Sequence, residues 1–185
     1  MNQVESFEHM GRRVTIYTDD DAESPRSWDI NLATLACWHR RMNLGDVRID
    51  GGETEDELRA RLTEAGEEVL AVLPLHLYDH SGITMSTRPF GDRWDSGQVG
   101  WAYVTKSSAE KTGCVGAEWN ADRYLKAIVA EVLTYDMFLR GEIYGYEVED
   151  ADGGALDSCW GFYGLDDARD EGREAAEAVA ASEAP

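Results

Sequence analysis

The sequence predicts a single α+β domain in which an antiparallel sheet of about five strands is covered by three to four helices. Short alternating or apolar segments, separated by glycine-containing turns, predict the strands. Longer segments with apolar residues three and four positions apart predict the helices. A chain of 185 residues is long enough for one domain with a sizeable core. We place that domain at residues 1–165 and an acidic, Ala/Glu-rich helix and tail at 166–185.

The segment 73–106 is the centre of the predicted sheet. Its apolar first part ends at the turn Asp79-His80-Ser81-Gly82, and the β-branched residues after the turn predict the second strand of a hairpin. After a loop at 88–97, residues 98–105 alternate and predict a central strand. We expect Val99, Trp101 and Tyr103 to share one face of that strand and to pack against a helix at 120–140.

The flanking segments supply the helices and the remaining strands. Helices are predicted at 29–43, where the apolar stripe runs from Leu32 to Met42, at 54–72, which opens with the capping-box pair Thr54 and Glu57, and at 120–140. Strands are predicted at 13–18, 143–149 and 155–163, whereas residues 1–11 are expected to be frayed. The helix after Asp166 is poor in apolar residues, so we expect it to be dispensable for the fold.

Acidity is the main compositional feature. The formal net charge is −20 and the sequence pI is about 4.4. Direct binding to nucleic acid through a basic surface is therefore not expected, because neutralising phosphates requires clustered Lys and Arg. The acidic helices at 53–68 and 166–183 have two interpretations: a solvated, salt-adapted surface, or a surface that imitates DNA phosphates and binds a host protein.

The cysteines and the apolar segments restrict the compartment. Three cysteines, Cys37, Cys114 and Cys159, are an odd number without a CxxC pair, which favours a reducing compartment over a disulfide framework. The spacing of Cys37 and His39 is a poor match to a zinc site, and we predict neither a metal nor a cofactor. No apolar run approaches the ~20 residues of a membrane span. A cytoplasmic location in a prokaryotic cell is expected, and the oligomeric state is left open.

Five blocks of the sequence carry a resemblance: SPRSWD, ACWHRRMNLGD, LYDHSG, WDSGQVGW and DSCWGFYG. Together with their flanking residues, these blocks resemble a family of small proteins carried by bacteriophages, archaeal viruses and plasmid-like elements. The resemblance covers somewhat over a third of the chain and does not include the acidic tail. It implies that the protein belongs to a mobile element in a prokaryotic cell, and it implies no catalytic mechanism.

Three residues are candidates for catalysis: Asp79, His80 and Cys159. A histidine next to an aspartate can act as a general base, and Cys159 could be the nucleophile if the fold brings it to His80. No sequence motif such as G-x-S-x-G supports this interpretation. The structural alternative is a turn histidine that bonds the backbone and a cysteine that is inert.

The predicted binding surface lies where the turn 79–82, the loop 88–97 and the strand 155–163 meet. Such turns hold specific polar and aromatic side chains in place, whereas a solvated surface needs little sequence information. The residues expected there are Asp79, His80, Ser81, Arg88, Arg93, Trp94, Asp95, Ser96, Asp157 and Trp160. Trp94 and Trp101 could line a pocket for a base or a sugar, or Trp94 could simply pin its loop to the sheet.

Two classes of function follow from these features. The first is a non-enzymatic accessory protein that binds a host protein, with its acidic surface as a decoy. The second is a small hydrolase or transferase that uses Cys159 and His80. The decoy requires rows of carboxylates on one exposed face, whereas the enzyme requires Asp79, His80 and Cys159 in one cleft.

Overall fold

The structure is a computed structural model that describes residues 1–182. Its strands are β1 (Gln3–His9), β2 (Arg12–Thr18), β3 (Thr34–Cys37), β4 (Val47–Arg48), β5 (Val69–Asp79), β6 (Ile83–Ser86), β7 (Ser96–Thr105), β8 (Ile143–Glu149) and β9 (Ala155–Tyr163). Its helices are α1 (Glu55–Glu64), α2 (Lys106–Thr112), α3 (Ala121–Arg140) and α4 (Leu165–Ser182). These elements fall into two units: unit 1 contains Met1–Glu23 and residues 140–182, and unit 2 contains Ser24–Leu139.

Unit 2 is built on a five-stranded sheet in the order β4-β3-β7-β5-β6. All its neighbouring strands are antiparallel except β3 and β4. One face buries Leu35, Leu75 and Val104 together with the α3 residues Ile128 and Val132. The other face packs against α1. Both faces of the central strand β7 are therefore buried, which explains why residues 99–105 are apolar almost without interruption.

A buried arginine fixes the segment that leads into β3. The Arg26 side chain is 6% exposed, and its guanidinium donates to the carboxylates of Asp46 and Glu131. The Glu131 carboxylate also accepts from the backbone N–H groups of Leu32 and Ala33. Because the guanidinium and both carboxylates have several partners, this ion-pair network holds residues 24–33 against α3, although the segment has no regular structure beyond the 3-10 helix Pro25–Ser27.

Unit 1 is a four-stranded antiparallel sheet in the order β1-β2-β8-β9, with α4 on one face. Val14, Ile16, Tyr146 and Val148 of the sheet are buried with three alanines of α4, which are Ala168, Ala175 and Ala176. At Gly172 an added Cβ would lie 2.8 Å from Val14 Cγ1, so the glycine permits a close approach of helix and sheet.

The α+β class and the antiparallel five-stranded sheet are confirmed, and a second sheet is present in unit 1. The hairpin of β5 and β6, the central strand β7, the helix α3 and the predicted strands of unit 1 are also found. None of the helices within residues 1–182 is long and apolar enough to cross a membrane. The boundary placed at residue 165 remains a prediction.

Four local predictions are wrong. The segment 29–43 contains the strand β3 and no helix, the helix at 54–72 ends at Glu64, and residues 3–9 form β1. Trp101 and Tyr103 pack against α1, through Leu58 and Leu62, and not against α3, and Val99 does not share their face, because the register of β5 and β7 shifts beside it and places it in the core with α3. In addition, the buried alanines of α4 argue against a dispensable helix.

Candidate functional site

The turn between β5 and β6 is held by main-chain bonds at its base. His80 N–H donates to the Gly82 carbonyl, and Asp79 N–H donates to the Asp95 carbonyl, which ties the turn to the loop before β7. Ser81 adopts a φ of 59°, a left-handed conformation that is uncommon for residues other than glycine. The turn therefore presents Asp79 and His80 in fixed positions beside Asp95.

The loop 88–97 is organised by Asp92. Its Oδ1 accepts from the backbone N–H groups of Trp94 and Asp95, and its carbonyl accepts from the Ser96 hydroxyl. The hydrogen bonds from these two backbone N–H groups lower the pKa of Asp92, because they stabilise its ionised form. The bond from Asp95 has the larger effect. Phe90 lies against Tyr78, with the ring centroids 5.9 Å apart. These contacts determine where Asp95 stands.

Asp79 and Asp95 each hold a different cationic or basic partner. His80 Nδ1 lies 2.9 Å from Asp95 Oδ2, and Asp79 Oδ2 accepts from Arg41 Nη2 at 2.5 Å. The His39 ring also approaches Asp79, with Nε2 4.0 Å from Oδ2. The expected pairing of His80 with Asp79 is therefore replaced by a pairing with Asp95, and Asp79 instead anchors the segment 39–41.

The His80–Asp95 pair could orient an imidazole for proton transfer, but no nucleophile is in place. His80 is 62% exposed, and no Cys, Ser or Thr side chain within residues 1–182 is hydrogen-bonded to its ring. Cys159 belongs to unit 1, whereas Asp79 and His80 belong to unit 2. Cys159 lies exposed on β9, and its Sγ donates a weak hydrogen bond to the neighbouring Trp160 carbonyl, at 3.9 Å.

The other predicted binding residues are likewise divided between unit 2 and unit 1. Arg88, Arg93 and Trp94 are exposed on the loop before β7, and Trp94 is 94% exposed. Trp101 is buried and donates its indole N–H to the Glu53 carbonyl at 2.8 Å. Neither expectation for Trp94 is met, because it forms no pocket with Trp101 and does not pin its loop.

Asp157 and Trp160 lie on β9 in unit 1. The Trp160 ring covers Gly145, where an added Cβ would overlap it, and stands 6.1 Å from the Tyr17 ring. Asp157 accepts from the backbone N–H of Ser158 and, at 3.5 Å, from the Tyr146 hydroxyl. Burial, and then the Asp157 carboxylate, raises the pKa of Tyr146 to about 12. The contacts of Trp160 and Asp157 are therefore those of side chains that pack along a sheet.

The residues weighed for a zinc site are not assembled into one. Cys37 is buried, and burial raises the pKa of its thiol to about 12, which makes the thiolate that a metal requires unfavourable. Within residues 1–182, no three His, Cys, Asp or Glu side chains are grouped so that they could hold a metal ion.

The exposed face of α4 carries a row of carboxylates. Asp167, Glu171 and Glu174 are spaced i, i+4, i+7, are all exposed and form no ion pair in the described part of the chain. Asp170 and Glu177 flank the row and are paired with Arg173 and His9. Because the opposite face is the buried alanine face, the helix is fixed with this acidic row outward.

No family model, curated protein or solved structure matches this chain, so the function is argued from the geometry alone.

Sequence reasoning missed two features of these sites. It placed His39 on the apolar stripe of the predicted helix 29–43 and the neighbouring Arg40 and Arg41 in the last turn of that helix, whereas His39 approaches Asp79 and Arg41 is bound to it. A run of two arginines beside a histidine in so acidic a chain was the available signal. The i, i+4, i+7 spacing on α4 was also visible in the sequence.

Proposed function

We propose that the protein is a non-enzymatic accessory protein of a phage or other mobile element, and that it binds a host protein through the acidic face of α4. The row formed by Asp167, Glu171 and Glu174 is the observation that carries this proposal. It is the arrangement that a decoy for nucleic acid requires: carboxylates in line on one exposed face. The partner would be a basic protein that ordinarily binds DNA phosphates.

The spacing of the charges supports imitation of DNA. From Asp167 to Glu174, three unpaired carboxylates lie along eight residues of helix, or about 10 Å at 1.5 Å per residue. This is roughly one unpaired negative charge per 5 Å, compared with one per ~3.4 Å along a DNA strand. A protein surface with lysines and arginines placed for phosphates would therefore meet carboxylates at about two thirds of that density.

The distribution of charge between the units favours unit 1, to which α4 belongs. Counted with residues 183–185, unit 1 has 19 acidic and 5 basic residues, a net charge of −14, whereas unit 2 has 18 acidic and 12 basic residues, a net charge of −6. Unit 1 is the smaller of the two. A field of one sign attracts an oppositely charged partner and speeds its association.

The alternative, a hydrolase or transferase that uses Cys159 and His80, lacks comparable support. His80 has a carboxylate partner but no bonded nucleophile within residues 1–182, and Cys159 is an exposed strand residue of the other unit. Generic esterase and thioester substrates would reveal such an activity, and we expect none.

The proposal is tested by calorimetric titration with a purified, basic, sequence-nonspecific DNA-binding protein from a prokaryotic nucleoid. The row variant is Asp167→Asn, Glu171→Gln and Glu174→Gln. Its matched control removes three exposed carboxylates of unit 2: Asp56→Asn, Glu64→Gln and Glu110→Gln. Both variants have the same net charge. We expect the row variant to lose binding by at least tenfold and the control to bind within about twofold of the unaltered protein.

If both variants weaken binding equally, net charge is responsible and the row has no special role. If neither the unaltered protein nor the control binds, this class of partner is wrong.

A further inference from the structure

Unit 2 has a basic, aromatic concavity at the end of β3. Its lining is Trp38, His39, Arg40, Arg41 and Val99, and its volume is about 490 Å³. A second concavity of about 470 Å³ adjoins it, shares Trp38, His39 and Arg40, and is completed by Arg48 and residues 49–52. Both volumes lie within the ~300–1,000 Å³ typical of small-molecule sites.

Two arginines of this region form no ion pair within residues 1–182. Arg40 is exposed, and the Arg48 guanidinium donates a hydrogen bond to the His39 carbonyl at 3.4 Å. Arg41 is held by Asp79. Arg40 and Arg48 therefore have no bound carboxylate to displace when an anion approaches, and they lie on the same concavity.

The neighbouring side chains are held in place. Trp38 donates its backbone N–H to the Val99 carbonyl at 2.7 Å and packs beside the core residues of the α1 face. His39 Nδ1 accepts from the backbone N–H groups of Arg41 and Met42, so its other nitrogen carries the proton toward Asp79. The backbone at Trp38 and the ring of His39 are therefore held by hydrogen bonds, and the Arg40 and Arg48 guanidinium groups lie beside them.

We propose that this concavity binds a free mononucleotide. Trp38 offers an aromatic surface on which a base can stack, and the guanidinium groups of Arg40 and Arg48 offer paired donors for a phosphate. Asp50 lines the same concavity and supplies a carboxylate that can accept from ribose hydroxyls. A single nucleotide fits better than a strand, because every additional phosphate meets the field of a protein with a net charge of −20.

The test is a titration of the full chain with AMP, followed by isothermal calorimetry and by the indole N–H signals of the tryptophans. Adenosine, ribose 5-phosphate and inorganic phosphate separate the contributions of stacking and charge. We expect AMP to bind more tightly than each of the three and to shift the signal that Trp38→Phe removes. An eight-residue oligodeoxyadenylate should bind more weakly than AMP.

The variants are Arg40→Gln and Arg48→Gln, with Arg93→Gln as the control, because Arg93 is exposed on another loop of the same unit. Each of the first two should weaken AMP binding by about tenfold, the value of one charge-assisted hydrogen bond of about 1.4 kcal/mol. The control should bind AMP unchanged.

Three results would overturn the proposal: no saturable binding of AMP by the unaltered chain, equal losses in all three arginine variants, or tighter binding of the oligonucleotide. The carboxylate variant of α4 should still bind AMP, so this proposal and the proposed function can fail independently.

Discussion

At the scale of single residues, Gly45 and Gly100 permit the close packing of the chain around β3. A Cβ at Gly100 would overlap the Ala36 carbonyl, and Gly45 has a φ of 67° and lies against Leu35. Both glycines let neighbouring backbone approach β3 closely. The sequence shows these glycines but not their neighbours, so the close approach could not be predicted.

Trp101 was placed correctly on a buried central strand, but on the other face of the sheet. It is 9% exposed and packs with Leu58 and Leu62 of α1. Trp101→Ala should lower the free energy of unfolding by about 3–5 kcal/mol, because it leaves a large cavity and removes the bond to Glu53.

Trp94→Ala is the control for Trp101, since Trp94 is 94% exposed and should change stability by less than about 0.5 kcal/mol. Urea unfolding of both variants measures the difference. Similar losses at the two positions would mean that Trp101 is not in the core.

Because His76 on β5 is partly buried, it should make the free energy of unfolding depend on pH in one direction. Burial lowers its pKa in the folded chain, while the unfolded chain keeps a value near ~6.5. As the pH falls below about 6.5, the unfolded chain therefore binds a proton that the folded chain does not, so the protein loses stability, and this loss stops growing only once the pH is below the lowered pKa of the folded chain.

His76→Gln removes this titration. The difference in unfolding free energy between the unaltered protein and the variant should shift in favour of the variant between about pH 7.5 and pH 5.5. Chemical unfolding at several pH values tests this. A difference that is independent of pH would show that His76 titrates alike in the folded and unfolded chains.

At the scale of elements, the sequence correctly predicted the helices and strands whose apolar pattern fits only one type of secondary structure. α3 has a wide apolar stripe over 20 residues, and the capping box of Thr54 and Glu57 opens α1 as expected. The segment from Leu32 to Cys37 has two interpretations, because a strand buried on both faces is as continuously apolar as a buried helix. The bonds of Arg26 to Asp46 and Glu131 resolve this ambiguity, and they come from distant residues.

The candidate site could be predicted in part for a similar reason. Asp79, His80, Asp95 and Ser96 lie close together because the hairpin turn and the loop before β7 are adjacent on one sheet. Local turn chemistry in the sequence was enough to select these residues. Arg41 could not be selected, since its segment was assigned to a helix. Cys159 was grouped with His80 on residue type alone.

The helix α4 also yields a prediction at this scale. Gly172 faces Val14 and Tyr146 with no room for a side chain. Gly172→Leu should therefore destabilise unit 1 by about 1–3 kcal/mol, the usual cost of overpacking.

Ala178→Leu is the control for Gly172, because Ala178 lies on the exposed side of the same helix and tolerates the larger residue. Thermal unfolding, followed by circular dichroism, compares the two variants. A chain that ends at Gly164 should lose the cooperative unfolding of unit 1, and if that chain keeps it, α4 is dispensable as the sequence alone suggested.

At the scale of the whole molecule, the net charge of −20 opposes folding through self-repulsion. Raising KCl from ~0.05 M to ~1 M shortens the Debye length to about 3 Å and should raise the melting temperature. Because unit 1 holds −14 of the charge, its transition should move more than that of unit 2.

Tyrosine and tryptophan signals assigned to each unit distinguish the two transitions. The Asp56, Glu64 and Glu110 variant serves as the control, since it removes charge from unit 2 and should leave the salt response of unit 1 unchanged. A melting temperature that does not change with KCl would show that repulsion among the acidic residues does not destabilise the folded chain.

The same charges, placed in a row, are proposed to compete with DNA, and competition is the most direct measurement of that claim. A fluorescently labelled DNA duplex is bound to the basic nucleoid protein, and its anisotropy is followed as this protein is added. We expect the unaltered chain to displace the duplex and the unit 2 control to behave like it. The Asp167, Glu171 and Glu174 variant should need at least ten times more protein to do so. Displacement by the row variant at the same concentration as the unaltered chain would show that the row is not responsible.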